Sequence, residues 1–382
     1  MVRSICTAVT LFLVASGSFA SPIEEQMRAV EEIRGLKFTG PVAVETFDRS
    51  QLSGHIRAQI SKTLPYSIGE WERILRALLL IDESADQGFS SLLELYDSQV
   101  LAYYDPGSKT YFAVKQIPAA VSSLIPAAVA EESVAIHELT HALQDQRFDI
   151  GRKDFELRRD TDAAMAHHAL LEGEATLVML AYLTAKSGVS LDEMVKSDML
   201  LDMLVAAAGN DSSFAATGPR YYGEMLKFPY IQGLRFVIDA YRRGGWKEID
   251  RLHADPPRST SELLHGRSHS GLERENWSPA APSSDILSVE HLGEFHWAFL
   301  AGADNARGWI DDRVTIAQNA RCETTTLVET EWESEDAARR FHDAYRRMLD
   351  VRGAGSLAAM SGSHVRVAYG ADRVLMERFV AR

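Results

Sequence analysis

Cysteine is nearly absent from these 382 residues, with only Cys6 and Cys322 present. Cys6 falls within a leader-like N-terminus, so its removal leaves Cys322 alone and no intramolecular disulfide can form. Stability must then come from packing and, if one is bound, from a metal. Basic charge is also scarce. Lys and Arg number 40 against 54 Asp and Glu, for a formal net charge of -14 and a pI near 5.4. That balance excludes the broad basic face a nucleic-acid or anionic-membrane partner would need; pairs such as Arg158-Arg159 and Arg242-Arg243 read as solvated helix ends. No fixed-period repeat or low-complexity tract is visible. Long apolar runs are missing too. The run "ICTAVTLFLVA" is short of the roughly 20 residues a membrane span requires. With Arg3 before it and the small residues Ser18 and Ala20 after it, residues 1–20 read as a cleaved secretory signal. The expectation is export to the periplasm or cell exterior, with no stable membrane insertion afterwards.

What is there is the mixture of an ordinary globular protein, 46% hydrophobic and 25% charged. "GPVAVETF" reads as a strand. "QVLAYYDPGSKTYFAVK" reads as a hairpin around Asp105, Pro106 and Gly107. From about Pro126 the pattern turns helical, and "AAMAHHALLEGEATLVMLAYLTA" is a second long helix ending at Gly188. Ser190 with Glu193 forms a capping box for a third, closed by Gly209. "FPYIQGLRFVIDAYRR" gives a fourth, stopped by Gly244-Gly245, and Ser259 with Glu262 opens a short helix carrying His265. Residues 269–285, rich in Ser, Pro and Ala, read as a linker. Beyond them come strands at "RVTIAQ" and "ETTTLVET", a helix at "SEDAARRFHDAYRRML", and further strands around Val365 and Val374. The expected class is therefore α+β and mainly helical, with a main domain over 21–268 and a small C-terminal α+β domain over 286–382.

The chemistry concentrates in "AIHELTHALQDQ". Residues four apart on a helix lie about 40° apart around its axis and roughly 6 Å along it, so His137 and His141 present their imidazoles side by side. Two such nitrogens suit one Zn²⁺, and Glu138 is placed to take a proton from water at the metal. Val134, Ala135, Leu139, Ala142 and Leu143 supply the buried side. A catalytic zinc needs a third ligand and an open position. A third histidine of the HExxHxxGxxH type is excluded, because Gln144 and Arg147 occupy the Gly and His positions. An acidic ligand from the following helix is the other answer, and "LLEGEAT" offers Glu172 or Glu174. Gly173 costs about 1 kcal/mol in mid-helix, which close approach to the helix of His137 and His141 would justify. His168, one turn before Glu172, is a hydrogen-bond partner or replacement for it, though a polar helix residue is the favoured reading. His253, His291, His296 and His342 have no partner at metal-binding spacing, and Cys322 reads as a small buried or semi-buried residue.

HELTH at 137–141 with Glu-Gly-x-Ala at 172–175 resembles the gluzincins, the zinc metallopeptidases of the peptidase MA clan that include thermolysin-like enzymes. The run from "LAYYDP" through "FPYIQG" to "PPRSTSELLHG", about half of the chain, resembles an uncharacterised group of secreted bacterial members of that clan. The resemblance implies a zincin-like domain holding one Zn²⁺ on His137, His141 and Glu172, with Glu138 as general base. It also implies an oxyanion-stabilising Tyr or His outside the motif, for which Tyr230, Tyr222 and His265 are the candidates. The hairpin over 99–115 would be the edge that receives an extended peptide. One departure stands out: the thermolysin pattern has an acidic residue four beyond the third ligand, where this chain has Thr176, and Asp145 is a weak substitute. The expected function is a secreted zinc-dependent metallopeptidase acting on peptide or protein substrates. The alternatives are a zinc hydrolase of a non-peptide amide in the cell envelope, and a non-catalytic envelope binding protein with a structural metal.

Overall fold

The computed structural model describes residues 22–82, 88–115, 127–199, 202, 219–266, 281 and 285–382. The leader over 1–20, Gly209 and most of the 269–285 segment lie outside the described residues. The chain is α+β and mainly helical, with two small sheets. In the first, β1 (Ala43–Asp48) runs parallel to β3 (Thr110–Lys115), and β2 (Ala102–Asp105) pairs antiparallel with β3 on the other side. Among the described residues β2 is thus an outer strand. The hairpin turn is an Asx turn: Asp105 accepts from the backbone N–H of Gly107 at 2.9 Å and of Ser108 at 3.3 Å.

Three long helices carry the site. The first, Ala127–Phe148, has no Gly or Pro and buries Ala135, Ile136, Leu139, Ala142 and Leu143. The second, Thr161–Ala185, is started by Asp160, whose side chain accepts from Ala163 N–H. The third, Arg220–Gly244, contains Pro229 and stops where Gly245 takes φ of 65°. Ser190 and Glu193 do form a capping box, but the helix it opens is short, Leu191–Lys196. Ser259 caps Thr260–His265 by accepting from Glu262 N–H, while the Glu262 carboxylate accepts instead from Arg258 N–H at 3.0 Å.

Gly173 does answer to a close helix approach, but to a different helix from the one expected. A Cβ on Gly173 would sit 2.2 Å from the carbonyl oxygen of Gly233, and a Cβ on Gly233 would sit 2.0 Å from that of Ala169. The two glycines let the backbones of the second and third helices touch. That contact sets Tyr230, one turn before Gly233, beside Glu172.

The second sheet has the order β4-β5-β6-β8-β7, all antiparallel. Its strands are β4 (Ile286–Glu290), β5 (Trp309–Gln318), β6 (Thr324–Trp332), β7 (Ser356–Ser361) and β8 (His364–Gly370). Helix Glu335–Val351 covers one face through Ala337, Ala338, Phe341, Tyr345 and Leu349. The segment around Val374 is a helix, Arg373–Val380, and not a strand. Asp372 caps it through Leu375 N–H at 2.9 Å, and Met376 and Phe379, three apart, turn inward together. The remaining strand is β7, a Ser- and Ala-rich segment that Gly362 (φ 59°) turns back onto β8. Cys322 is exposed, not buried: it sits in the β5–β6 turn with φ of 62°. The C-terminal unit and the helical part share one apolar cluster, in which Leu177, Leu234 and Phe228 join Trp297, Trp309 and Phe341. Polar ties reinforce it, since Thr326 Oγ1 and Tyr369 OH both donate to the carbonyl of Ala77, at 2.9 and 3.0 Å.

Candidate metal centre

One turn of helix brings the His137 and His141 Nε2 atoms to 3.2 Å from each other. Glu172, from the next long helix, places Oε2 at 3.0 Å from His137 Nε2 and 3.6 Å from His141 Nε2. Four bonds of about 2.0 Å at tetrahedral angles would separate neighbouring ligand atoms by roughly 3.3 Å. The three measured edges straddle that value, so the donor set and its spacing fit a Zn²⁺-sized ion. Were three such residues to hold a tetrahedral ion, one position would remain for a water or another ligand. This is the one His, Cys, Asp and Glu cluster with such geometry among the described residues.

The surroundings fix the direction of each donor. Glu172 Oε1, the oxygen not facing the His137–His141 pair, lies 3.2 Å from His168 Nε2. His168 is thus a partner of the third acid although more than half of its side chain is exposed. His141 Nδ1 faces Gln144 Oε1 at 2.8 Å. Asp145 does not reach His141; its Oδ2 accepts from Tyr104 OH and Lys109 Nζ, both at 2.7 Å, and so anchors the hairpin to the first long helix. Glu174 is turned elsewhere. Its carboxylate meets Arg34, Gln144 Nε2 at 2.8 Å and His253 Nε2 at 2.5 Å. His253 therefore has a defined polar role, stacked at 4.1 Å on Phe148.

Glu138 is half-buried, and its Oε2 accepts from the backbone N–H of Tyr104 on β2 at 2.8 Å. Loss of water around the carboxyl pushes its pKa above the usual carboxylate range, against the opposing pull of His137 and His141. The Glu172 carboxyl moves the opposite way, well below its usual value, because His141, His137 and His168 together outweigh its burial. In His141, burial favours the neutral ring, but Glu172 prevails and raises the pKa to about 9. These directions describe the protein without an ion, and a cation at the centre would displace the imidazole protons.

Of the three candidates for oxyanion stabilisation, only Tyr230 lies at the centre. Its ring stacks on His137 with centroids 6.0 Å apart, and it is 37% exposed. Partial burial and the charges of Glu172 and Glu138 hold its hydroxyl well above the ordinary tyrosine pKa, so it remains an O–H donor. Tyr222 is buried and stacks on Trp71 at 6.1 Å. His265 Nε2 is held by Glu294 Oε1 at 2.8 Å, and no contact joins it to the three ligand candidates among the described residues. Tyr96 is a neighbour that spacing did not single out: burial and the Glu172 charge push its pKa up to about 12. Gln144 stands three after His141 on the same helix, a signal open to reading. Arg34 and His253 reach Glu174 from 140 and 79 residues away, a relation that no local pattern announces.

A family model described as Domain of unknown function (DUF8575) matches residues 276–378. No curated protein and no solved structure matches the chain. The matched stretch covers the second sheet and contains none of His137, Glu138, His141, Glu172 or Tyr230.

Proposed function

We propose that the protein is a zinc-dependent metallopeptidase of zincin-like architecture, exported by a cleaved signal over residues 1–20. The observation that carries this reading is the triangle of His137 Nε2, His141 Nε2 and Glu172 Oε2, whose sides are 3.0, 3.2 and 3.6 Å. Two imidazoles and one carboxylate form a known catalytic zinc set. A Zn²⁺ held by His137, His141 and Glu172 would supply Lewis acidity and make a nearby water easier to deprotonate. Glu138 takes the proton from the attacking water and passes it to the leaving amine. A carboxylate held in place by the Tyr104 N–H, one residue on from His137, can serve both transfers. Tyr230 donates its O–H to the developing oxyanion. A peptide is the favoured substrate because β2 is an outer strand among the described residues and its Tyr104 N–H meets Glu138. A chain laid along that edge would pass its carbonyls by the base. No helix of the described residues is long and apolar enough to cross a membrane.

Metal analysis combined with digestion of a peptide library tests the proposal. Wild type and Glu138→Gln should both bind one zinc per chain, and only wild type should cleave. Equal cleavage by the two would remove Glu138 from the mechanism, and absence of zinc from both would remove the metal. Tyr230→Phe should lower kcat about 10²- to 10³-fold with little change in KM.

A further inference from the structure

The chain around Glu174 is more elaborate than packing alone requires. Arg34, only 2% exposed, comes from the N-terminal helix Pro22–Arg34, rests its guanidinium over Trp246 at 4.6 Å, and ion-pairs with Glu174. Taking such a pair out of water costs several kcal/mol, and apolar residues of similar size would often serve stability as well. On its other side Glu174 accepts from Gln144 Nε2 at 2.8 Å, and the same Nε2 donates to the carbonyl of Leu171 at 3.1 Å. These two acceptors settle which way the Gln144 amide faces. A flipped amide would press its oxygen against a carboxylate and a carbonyl. Gln144 Oε1 therefore points to His141 Nδ1 at 2.8 Å, and since an amide oxygen only accepts, that nitrogen must carry the proton.

We propose that Arg34, Glu174 and Gln144 are positioning residues that hold His141 with its proton on Nδ1, leaving the Nε2 lone pair directed at the metal position. The proposal rests on the zinc reading above and deepens it. Each member has one job. Arg34 and His253 hold the Glu174 carboxylate in place. Glu174 orients the Gln144 amide. Gln144 fixes the ring of the second histidine ligand. The N-terminal helix thereby becomes part of the candidate metal centre without touching it.

The test uses the full mature chain, with Gln144→Met as the near-isosteric loss of the acceptor and Glu174→Gln as loss of the orienting charge. Zinc affinity is read by chelator competition, and the His141 Nδ1–H by one-bond ¹H–¹⁵N NMR with and without zinc. Wild type should show a slowly exchanging Nδ1–H in both states. Gln144→Met should lose that protection and weaken zinc binding about 10- to 100-fold. Glu174→Gln should do so to a smaller degree, and the double variant should bind no more weakly than Gln144→Met alone, because Glu174 acts through Gln144. Zinc affinity within twofold of wild type in Gln144→Met would overturn the proposal, as would single losses that multiply in the double variant. Should Gln144→Met fail to fold, Glu174→Gln decides alone, and a fully protected Nδ1–H with unchanged zinc affinity sinks the relay. Failure of the zinc reading has a separate signature: wild type would bind no zinc while His141 Nδ1–H stayed protected.

Discussion

Two buried carboxylates, one in each half of the molecule, meet their donors in opposite ways. In the C-terminal unit, Asp312 accepts from the backbone N–H groups of Leu292 and Gly293 and from the indole N–H groups of Trp297 and Trp309, at 2.8 to 3.0 Å. Every partner carries a fixed hydrogen, and the acid is closed on all sides. In the helical half, Glu172 meets three imidazoles, two of which crowd one oxygen while approaching each other at 3.2 Å. Which of those ring nitrogens carries a hydrogen depends on protonation and tautomer, so this set of donors is not fixed as that of Asp312 is. Saturation with fixed hydrogens marks an acid that holds a fold together; convergence of titratable donors on one oxygen is an arrangement in which a cation could replace the protons.

That contrast is sharpest if each acid is removed in turn. Asp312→Ala leaves four buried N–H groups without an acceptor, each costing about 1–3 kcal/mol if unsatisfied. Denaturant unfolding should show a loss of about 4 kcal/mol or more, with zinc stoichiometry unchanged in whatever fraction remains folded. A loss under about 1 kcal/mol would show that Asp312 is no keystone. Glu172→Ala should do the reverse, releasing zinc while the metal-free chain loses far less stability.

The next effect is smaller and concerns how the helical half is assembled. Gly173→Ala would put a methyl 2.2 Å from the Gly233 carbonyl oxygen, and backbone can yield only by moving the helices apart. Overpacking of this kind costs about 1–3 kcal/mol, and it should also weaken zinc binding, because Glu172 is the adjacent residue. Gly173→Ala with wild-type melting and zinc affinity would show that the helices are not held at contact distance. This glycine also marks the limit of what the sequence makes legible. That Gly173 needs a reason is readable from its place in a helix; that the reason is Gly233, 60 positions on, is not, since spacing encodes faces and not partners. The same divide runs through the centre. His137 and His141 are legible because one helix fixes their relation. The third acid is legible once a second helix is granted. Arg34 and His253 are not, because only the tertiary fold brings them to Glu174. In the C-terminal unit the β-branched Val374 suggests a strand, but it starts a helix, where the Asp372 cap and the inward pair Met376 and Phe379 outweigh its intrinsic preference.

The smallest predicted effect separates the two acids by pH. In the zinc-free protein, Glu172 overcomes burial to raise the His141 pKa to about 9, from an ordinary value of 6.5. A group whose folded pKa exceeds its unfolded one contributes stability that is complete below the unfolded value and lost as pH rises through the folded one. Zinc-free protein should therefore lose melting temperature between about pH 6.5 and 9. Zinc-loaded protein should not, because the ion takes the place of the proton on that ring. Calorimetric titration of zinc at neutral pH, repeated in buffers of different ionisation enthalpy, should report net proton release. The four donors that Asp312 accepts from are backbone amide and indole N–H groups, which do not ionise in this window, so Asp312→Ala should shift the whole melting curve down while leaving its slope against pH intact. His141→Ala should flatten the slope, leaving the smaller part that His168 contributes through the same carboxylate. A zinc-free protein whose melting temperature stays flat from pH 6.5 to 9 would mean that the imidazole and carboxylate are not coupled, and the difference between a closed acid and an open one would lose its energetic basis.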